Sequence, residues 1–161
     1  MTQRNVNFSR QGNRFPCLKI SLYFADEKLQ RGTLARSDSL SLSITGSHQQ
    51  EEEVIEWFRS FFCGKQLPFP LPLEINHLGT FTRDVLAKLQ KIPFATTQSY
   101  SDVAASLENT NSSRAVGNAC RVNPFPLIIP CHRVIHKGGS IGEFAYGTSM
   151  KQALIEFEKG T

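Results

Sequence analysis

Pro68, Pro70 and Pro72 stand at alternate positions within Lys65–Leu73. Each proline removes a backbone donor and disfavours the helical region for the residue before it, so the stretch cannot be a helix. It reads as an extended crossing that divides the 161 residues into two expected domains, 1–75 and 76–161. A chain of this length has room for one large or two small domains with a real core.

Before the crossing, Leu18, Ile20, Leu22 and Phe24 alternate with Lys19, Ser21 and Tyr23, the period of a half-buried strand. A turn near Ala25-Asp26-Glu27 leads to a short strand around Gly32–Ala35, and Leu40, Leu42 and Ile44 mark a third. Ser47 and Gln50 have capping-box spacing, and Glu51-Glu52-Glu53 suits the positive end of a helix. Val54, Ile55, Trp57, Phe58, Phe61 and Phe62 form that helix's apolar face, with Gly64 as its cap. Residues 1–13 are polar and aperiodic and read as a frayed end.

After the crossing the pattern is helical: Phe81, Val85, Leu86 and Leu89 on one face, then a helix capped by Ser99 and Asp102. An Asn/Ser-rich turn at Glu108–Ser112 and a third helix from Ser113 to Arg121 give the outline of a helix-turn-helix. Lys137-Gly138-Gly139-Ser140 has the composition of a hairpin turn that makes a wing, and the last helix runs from Thr148 to Glu158.

Charge separates the two parts. Residues 1–75 carry nine Lys/Arg and eight Asp/Glu; residues 76–161 carry nine and six, so +3 of the net +4 lies in the second part. Such a bias is compatible with a polyanionic partner. The four cysteines Cys17, Cys63, Cys120 and Cys131 form no Cys-x-x-Cys pair and have no zinc-ligand spacing to a histidine, so no metal site is expected. The opening residues lack a signal-peptide pattern, and no apolar run approaches the ~20 residues needed to span a bilayer. A cytoplasmic, reducing setting without membrane contact is expected.

Pro130-Cys131-His132-Arg133-Val134 is the segment with chemistry. A free thiol has a pKa of about 8.5 and is only slightly ionised at neutral pH, and an adjacent base or cation raises the thiolate fraction. The apolar run Phe125–Ile129 reads as an extended buried segment delivering Cys131 to the floor of a pocket. Taken alone, the same cysteine also fits an inert core position.

The segment resembles the acceptor-cysteine signature of the alkylguanine-DNA alkyltransferases, or methylated-DNA–protein-cysteine methyltransferases. It is preceded in order by Ser99-Tyr100, Ser113-Arg114-Ala115-Val116-Gly117 and Asn123-Pro124, and followed by Glu158. The resemblance covers about Phe81 to Glu158; residues 1–75 carry no motif.

It implies an α/β N-terminal domain, ribonuclease-H-like by resemblance, followed by a mainly helical winged helix-turn-helix domain. It further implies attack of the Cys131 thiolate on the alkyl carbon at O6 of guanine, flipped out of duplex DNA, with one turnover per molecule and no cofactor. His132 is then the base that takes the thiol proton through a water, and Glu158 the carboxylate that orients it. Tyr100 is the proton donor to the purine. Arg114 fills the gap left by the flipped base, with Ala115, Gly117 and Ala119 letting the helix approach the minor groove and Arg121 also on DNA. Asn123 and Arg133 support the site; Pro130, Val134, Phe144 and Tyr146 form the pocket. A monomer acting on double-stranded DNA carrying O6-alkylguanine is expected.

Without the resemblance, Arg114 reads as a surface phosphate contact, Tyr100 as core and Glu158 as solvated surface, while His136 and Arg133 stay ambiguous. A lesion-binding relative without catalysis and a winged-helix regulator are the competing functions, and Cys131 argues against the first. The chain departs from the family at Ala145-Tyr146-Gly147, where a Gly-Gly pair is usual. The ring of Tyr146 is expected to narrow the pocket against bulky alkyl groups.

Overall fold

The computed structural model describes residues 3–8, 15–46, 50–107 and 113–160. Strands β1 (Gln3–Asn7), β2 (Leu18–Ala25), β3 (Lys28–Arg36) and β4 (Ser41–Thr45) form one sheet in the order β1-β4-β2-β3. β2 lies parallel to β4, and the other two pairings are antiparallel. Helix α1 (Glu51–Phe62) follows, then the proline-rich crossing. The second part is mainly helical: α2 (Thr80–Leu89), α3 (Tyr100–Ala105), α4 (Ser113–Arg121) and α5 (Thr148–Lys159). A two-stranded parallel pair, β5 (Gln98–Ser99) with β6 (Val134–Ile135), joins its ends. The chain is thus an α/β N-terminal region followed by a helical one. Among the described residues no helix is long and apolar enough to cross a membrane.

The periodic elements stand where their patterns put them. β2 buries Leu18, Ile20, Leu22 and Phe24 on one face, and α1 buries its six apolar residues. Gly64, at φ +76°, closes α1: its N–H reaches Phe61 O, and the next N–H, of Lys65, reaches Ser60 O. The Ser99–Asp102 capping box on α3 is formed in both directions. Ser47 and the Glu108–Ser112 turn lie outside the described residues.

Three expectations need correction. Gln3–Asn7 is not frayed but an edge strand on β4; its side chains are mostly exposed, so no hydrophobic period marks it. Arg4 on β1 also pairs with Glu51 and Glu52 at 3.2 and 2.6 Å, solvent-exposed contacts of the kind that add little to stability. β3 runs nine residues, because a register shift opposite Tyr23/Phe24 leaves Gln30 unpaired and breaks the two-residue period between Leu29 and Gly32. After β6 the Lys137–Ser140 turn forms, with the His136 N–H on Ser140 O at 2.9 Å, but β6 pairs in parallel with β5 rather than with a following strand.

One aromatic core runs across both parts. Phe15 meets Phe61 and Phe157 edge-on at 6.1 and 4.7 Å, and Phe94 packs on both Phe61 and Phe157. Such pairs add about 0.5–1.5 kcal/mol each beyond burial. The proline crossing lies along β3, where the Leu29 N–H reaches Pro72 O and the Glu74 N–H reaches Leu29 O. Gly32 N–H donates to Pro124 O at 2.7 Å, fastening the sheet edge to the segment that leads to Cys131.

Candidate active site

Two residues past α4, Asn123 organises the turn that carries Cys131. Its Oδ1 accepts the Phe125 N–H at 3.0 Å; its Nδ2 donates to Ile129 O at 2.9 Å and lies 3.2 Å from Cys131 Sγ. The run 125–129 is buried as expected, but it is coiled rather than extended. Leu127 sits at φ +70° and the Ile129 N–H folds back to Phe125 O at 2.8 Å. Cys131, 4% exposed, opens a short 3-10 turn through Arg133. Burial pushes its thiol pKa up, while the Asn123 amide and then the Lys151 charge pull it down.

Behind the thiol lies a buried charge network. Glu158 Oε1 sits 2.8 Å from His132 Nε2, and the carboxylate accepts Arg133 Nε and Nη2 at 2.8–3.1 Å and the Ala95 N–H at 3.1 Å. Arg133 completes its fork on Gln66 Oε1 (2.9 Å) and Ile92 O (2.7 Å). Burial pushes the Glu158 carboxyl up, but hydrogen bonds and charge from His132 and Arg133 outweigh it and leave the pKa at about 2. Burial lowers the pKa of His132, against the pull of Glu158. Facing the ionised carboxylate, the imidazole keeps a hydrogen on Nε2 whether or not it is protonated. Nδ1 is the nitrogen that takes up a proton, and it is buried with no hydrogen-bond partner among the described residues.

This network overturns the surface reading of Glu158, which is 3% exposed. Arg133 pairs with the same carboxylate at 2.8 Å and is itself buried.

In front of Cys131 opens a cavity of about 630 Å³ whose lining includes Tyr100, Arg114, Gly117, Cys120, Arg121, His136 and Phe144. The expected residues Ala115, Pro130, Val134 and Tyr146 are not part of that lining. Pro130 borders a separate cavity of about 430 Å³ beside Trp57 and Leu71, and Val134 is fully buried. Tyr146 packs edge-on against Phe144 at 5.5 Å; burial and then Cys131 push its hydroxyl pKa up, against Arg31 and the Leu34 backbone of β3. Arg114 and Arg121 are exposed, at the two ends of α4.

Burial pushes the Tyr100 phenol up to about 12, so it is protonated at neutral pH. Its oxygen accepts a hydrogen bond from Lys151 Nζ at 3.1 Å. Lys151 and Cys120 were not singled out from the sequence. The available signal for Lys151 was its spacing, since 151, 154 and 158 share one helical face and Leu154 marks that face as inward.

Gly142 closes the rim. It sits at φ +72°, and a Cβ there would stand 3.1 Å from both Tyr100 Oη and His136 Nε2. Gly142→Ala is expected to cost about 1–2 kcal/mol from the left-handed backbone alone, a fall in Tm of roughly 2–8 °C. A melting curve identical to wild type would show that this loop yields freely.

Residues 80–160 match the family model described as 6-O-methylguanine DNA methyltransferase, DNA binding domain. The methylated-DNA–protein-cysteine methyltransferase of Methanocaldococcus vulcanius is 49% identical over 86 residues, 53% of this chain and 51% of that one. The constitutive Bacillus subtilis protein of the same name is 35% identical over 142 residues, covering 83% of this chain and 85% of its own. Against several curated relatives, the archaeal one included, the chain spans only 51–59% of their length. The structure of Mycobacterium tuberculosis OGT in complex with DNA superposes with a TM-score of 0.71 at 25% identity, over 88% of this chain and 93% of that one. By family model, by relatives and by fold, the chain belongs to the methylated-DNA–protein-cysteine methyltransferases.

Proposed function

We propose that the protein reverses alkylation damage in DNA, taking the alkyl group from O6 of guanine onto Cys131 irreversibly, once per molecule. The observation that carries the reading is a thiol lining a cavity, hydrogen-bonded by Asn123, with the next residue, His132, held 2.8 Å from the buried Glu158 carboxylate. The Cys131 proton passes through a water to Nδ1 of His132, and Glu158 stabilises the imidazolium that results. The thiolate attacks the alkyl carbon, the S–C bond forms as the C–O6 bond breaks, and the electron pair moves onto the purine. Tyr100, protonated and facing the cavity, donates to the purine as it leaves. The thioether that remains is a poor leaving group, which makes the step final.

A base inside a duplex cannot reach this floor without leaving the stack. We read α3 and α4 as a helix-turn-helix placed against the minor groove, with the turn after β6 as the wing, and Arg114 at the start of α4 filling the vacated position. In this reading Gly117 keeps the groove-facing surface low and Arg121 contacts the backbone. Residues 1–75 form a ribonuclease-H-like domain that packs on residues 76–161 without chemistry. The protein acts as an intracellular monomer on double-stranded DNA.

Transfer of label from O6-[³H-methyl]guanine duplex to the protein fraction tests the activity, and absence of transfer contradicts it. Arg114→Ala tests the extrusion step. Reaction with methylated duplex should slow by one to two orders of magnitude, about the factor for a lost positioning contact, while reaction with free O6-methylguanine stays near wild type. Equal slowing of both would contradict the role given to Arg114.

A further inference from the structure

Among the described residues that line the cavity in front of Cys131, one carboxylate stands among cations: Glu143, with Arg114, Arg121 and His136 around the same space. Its side chain is exposed, and no ion pair joins it to any of the three among the described residues. Its backbone is fixed beside the phenol, because Lys151 Nζ donates both to Glu143 O at 3.3 Å and to Tyr100 Oη at 3.1 Å. The carboxylate is near enough to act on that phenol, as the last of the influences, after burial, Cys120 and Cys131, that push the Tyr100 pKa up.

A free negative charge here works against the rest of the site. It repels the phosphates of a polyanion, and it opposes any charge that builds up on Tyr100. A neutral side chain would avoid both costs. The carboxylate therefore calls for a donor that arrives with the substrate.

The base supplies one. O6-alkylguanine has no hydrogen on N1, so the two ring nitrogens flanking C2 are acceptors and the 2-amino group between them is its only N–H donor. A phenol that donates, beside a carboxylate that accepts, is the complement of a ring nitrogen beside that amino group, the edge by which an extruded base is read. Adenine carries a C–H at the same position, and O4-alkylthymine presents only acceptors at N3 and O2. Either would leave a charged acceptor unpaired, the kind of loss that discriminates strongly.

We infer that Glu143 is a specificity-determining residue, the acceptor for the 2-amino group of the extruded base, acting beside Tyr100 as donor to the neighbouring ring nitrogen. The inference rests on the alkyl-transfer reading, and the test separates the two.

Single-turnover methyl transfer is measured from two duplexes that differ only in the 2-amino group, one with O6-methylguanine and one with O6-methylhypoxanthine at the same site. Wild type should prefer the first. Glu143→Ala should slow O6-methylguanine by about tenfold to a hundredfold, the range for a lost hydrogen bond to a charged group. It should leave O6-methylhypoxanthine at the wild-type rate or faster, so that the preference collapses. Glu143→Gln, which keeps an oxygen to accept with, should retain much of the preference.

An unchanged ratio between the two duplexes in Glu143→Ala would overturn the inference. Equal acceleration would mean that Glu143 only repels phosphate, and equal slowing that it only shapes the loop. If wild type transfers nothing from either duplex, the alkyl-transfer reading fails by itself, and binding still tests Glu143. Cys131→Ser protein should bind the O6-methylguanine duplex more tightly than the O6-methylhypoxanthine one; equal affinities, or a difference undiminished by adding Glu143→Ala, would overturn the inference.

Discussion

Glu158→Gln should destabilise the protein by about 3–5 kcal/mol, the cost of leaving one member of a buried pair without its counter-charge. The guanidinium of Arg133 is 2% exposed and gives three hydrogen-bond contacts to this carboxylate. A glutamine keeps the shape but has one oxygen to accept with, and no charge. For a chain of 161 residues the loss corresponds to a fall in Tm of roughly 6–20 °C.

The effect should depend on pH with a definite sign. Glu158 titrates at about 2 in the fold, below the ordinary carboxylate value of 4.5. A group whose folded pKa is depressed stabilises above its unfolded pKa and loses that contribution as pH falls toward the folded one. The gap in Tm between wild type and Glu158→Gln should therefore be full at pH 6–7 and shrink between about pH 4.5 and pH 2. A gap that stays constant across that range would mean the carboxylate is not what the network needs. Where the variant remains folded, the iodoacetamide titration of Cys131 should move to higher pH, because His132 loses the carboxylate that stabilises its cationic form.

The second large effect is at Arg133. Arg133→Met removes the cation that joins Gln66 in the proline-rich crossing, Ile92 after α2 and Glu158 on α5. It strands Glu158 with only His132 and the Ala95 N–H, and a cost of about 3–5 kcal/mol is again expected. The double variant Arg133→Met/Glu158→Gln should be clearly less unstable than the sum of the two, since no buried charge is then left alone. Denaturant titration of the four proteins measures this coupling; simple additivity would show that the two side chains act separately despite their contact.

Where a period is clean, the elements could be read from the residues: β2 from its four alternating apolar residues, α1 from its aromatic stripe, α3 from Ser99 and Asp102. β3 reads too short because the extra Gln30 shifts its inward face by one residue, and β1 leaves no pattern because an edge strand with exposed side chains has no hydrophobic signature. The five apolar residues before Cys131 read as extended, because an apolar run without a period does not tell a strand from a packed turn; Leu127 at positive φ and the Asn123 bonds show the turn. For the site, Cys131, Tyr100, Arg114 and Phe144 share one cavity and Glu158 meets His132 behind it, but the burial of two charges has no local signal. Lysine and glutamate in a terminal helix usually face water, and only pairing across the chain, with Tyr100 or with His132 and Arg133, turns Lys151 and Glu158 inward. Tyr146 feels both Cys131 and β3, and contacts between distant parts of the chain leave no local pattern.

The most direct test is the intact mass of the protein after incubation with duplex DNA containing a single O6-methylguanine. The expected result is a gain of one methylene per molecule, located on the peptide containing Cys131, absent in Cys131→Ser, and reaching no more than one equivalent with excess DNA. Restored guanine without a mass gain, or methyl on Cys17, Cys63 or Cys120 instead, would contradict Cys131 as the acceptor.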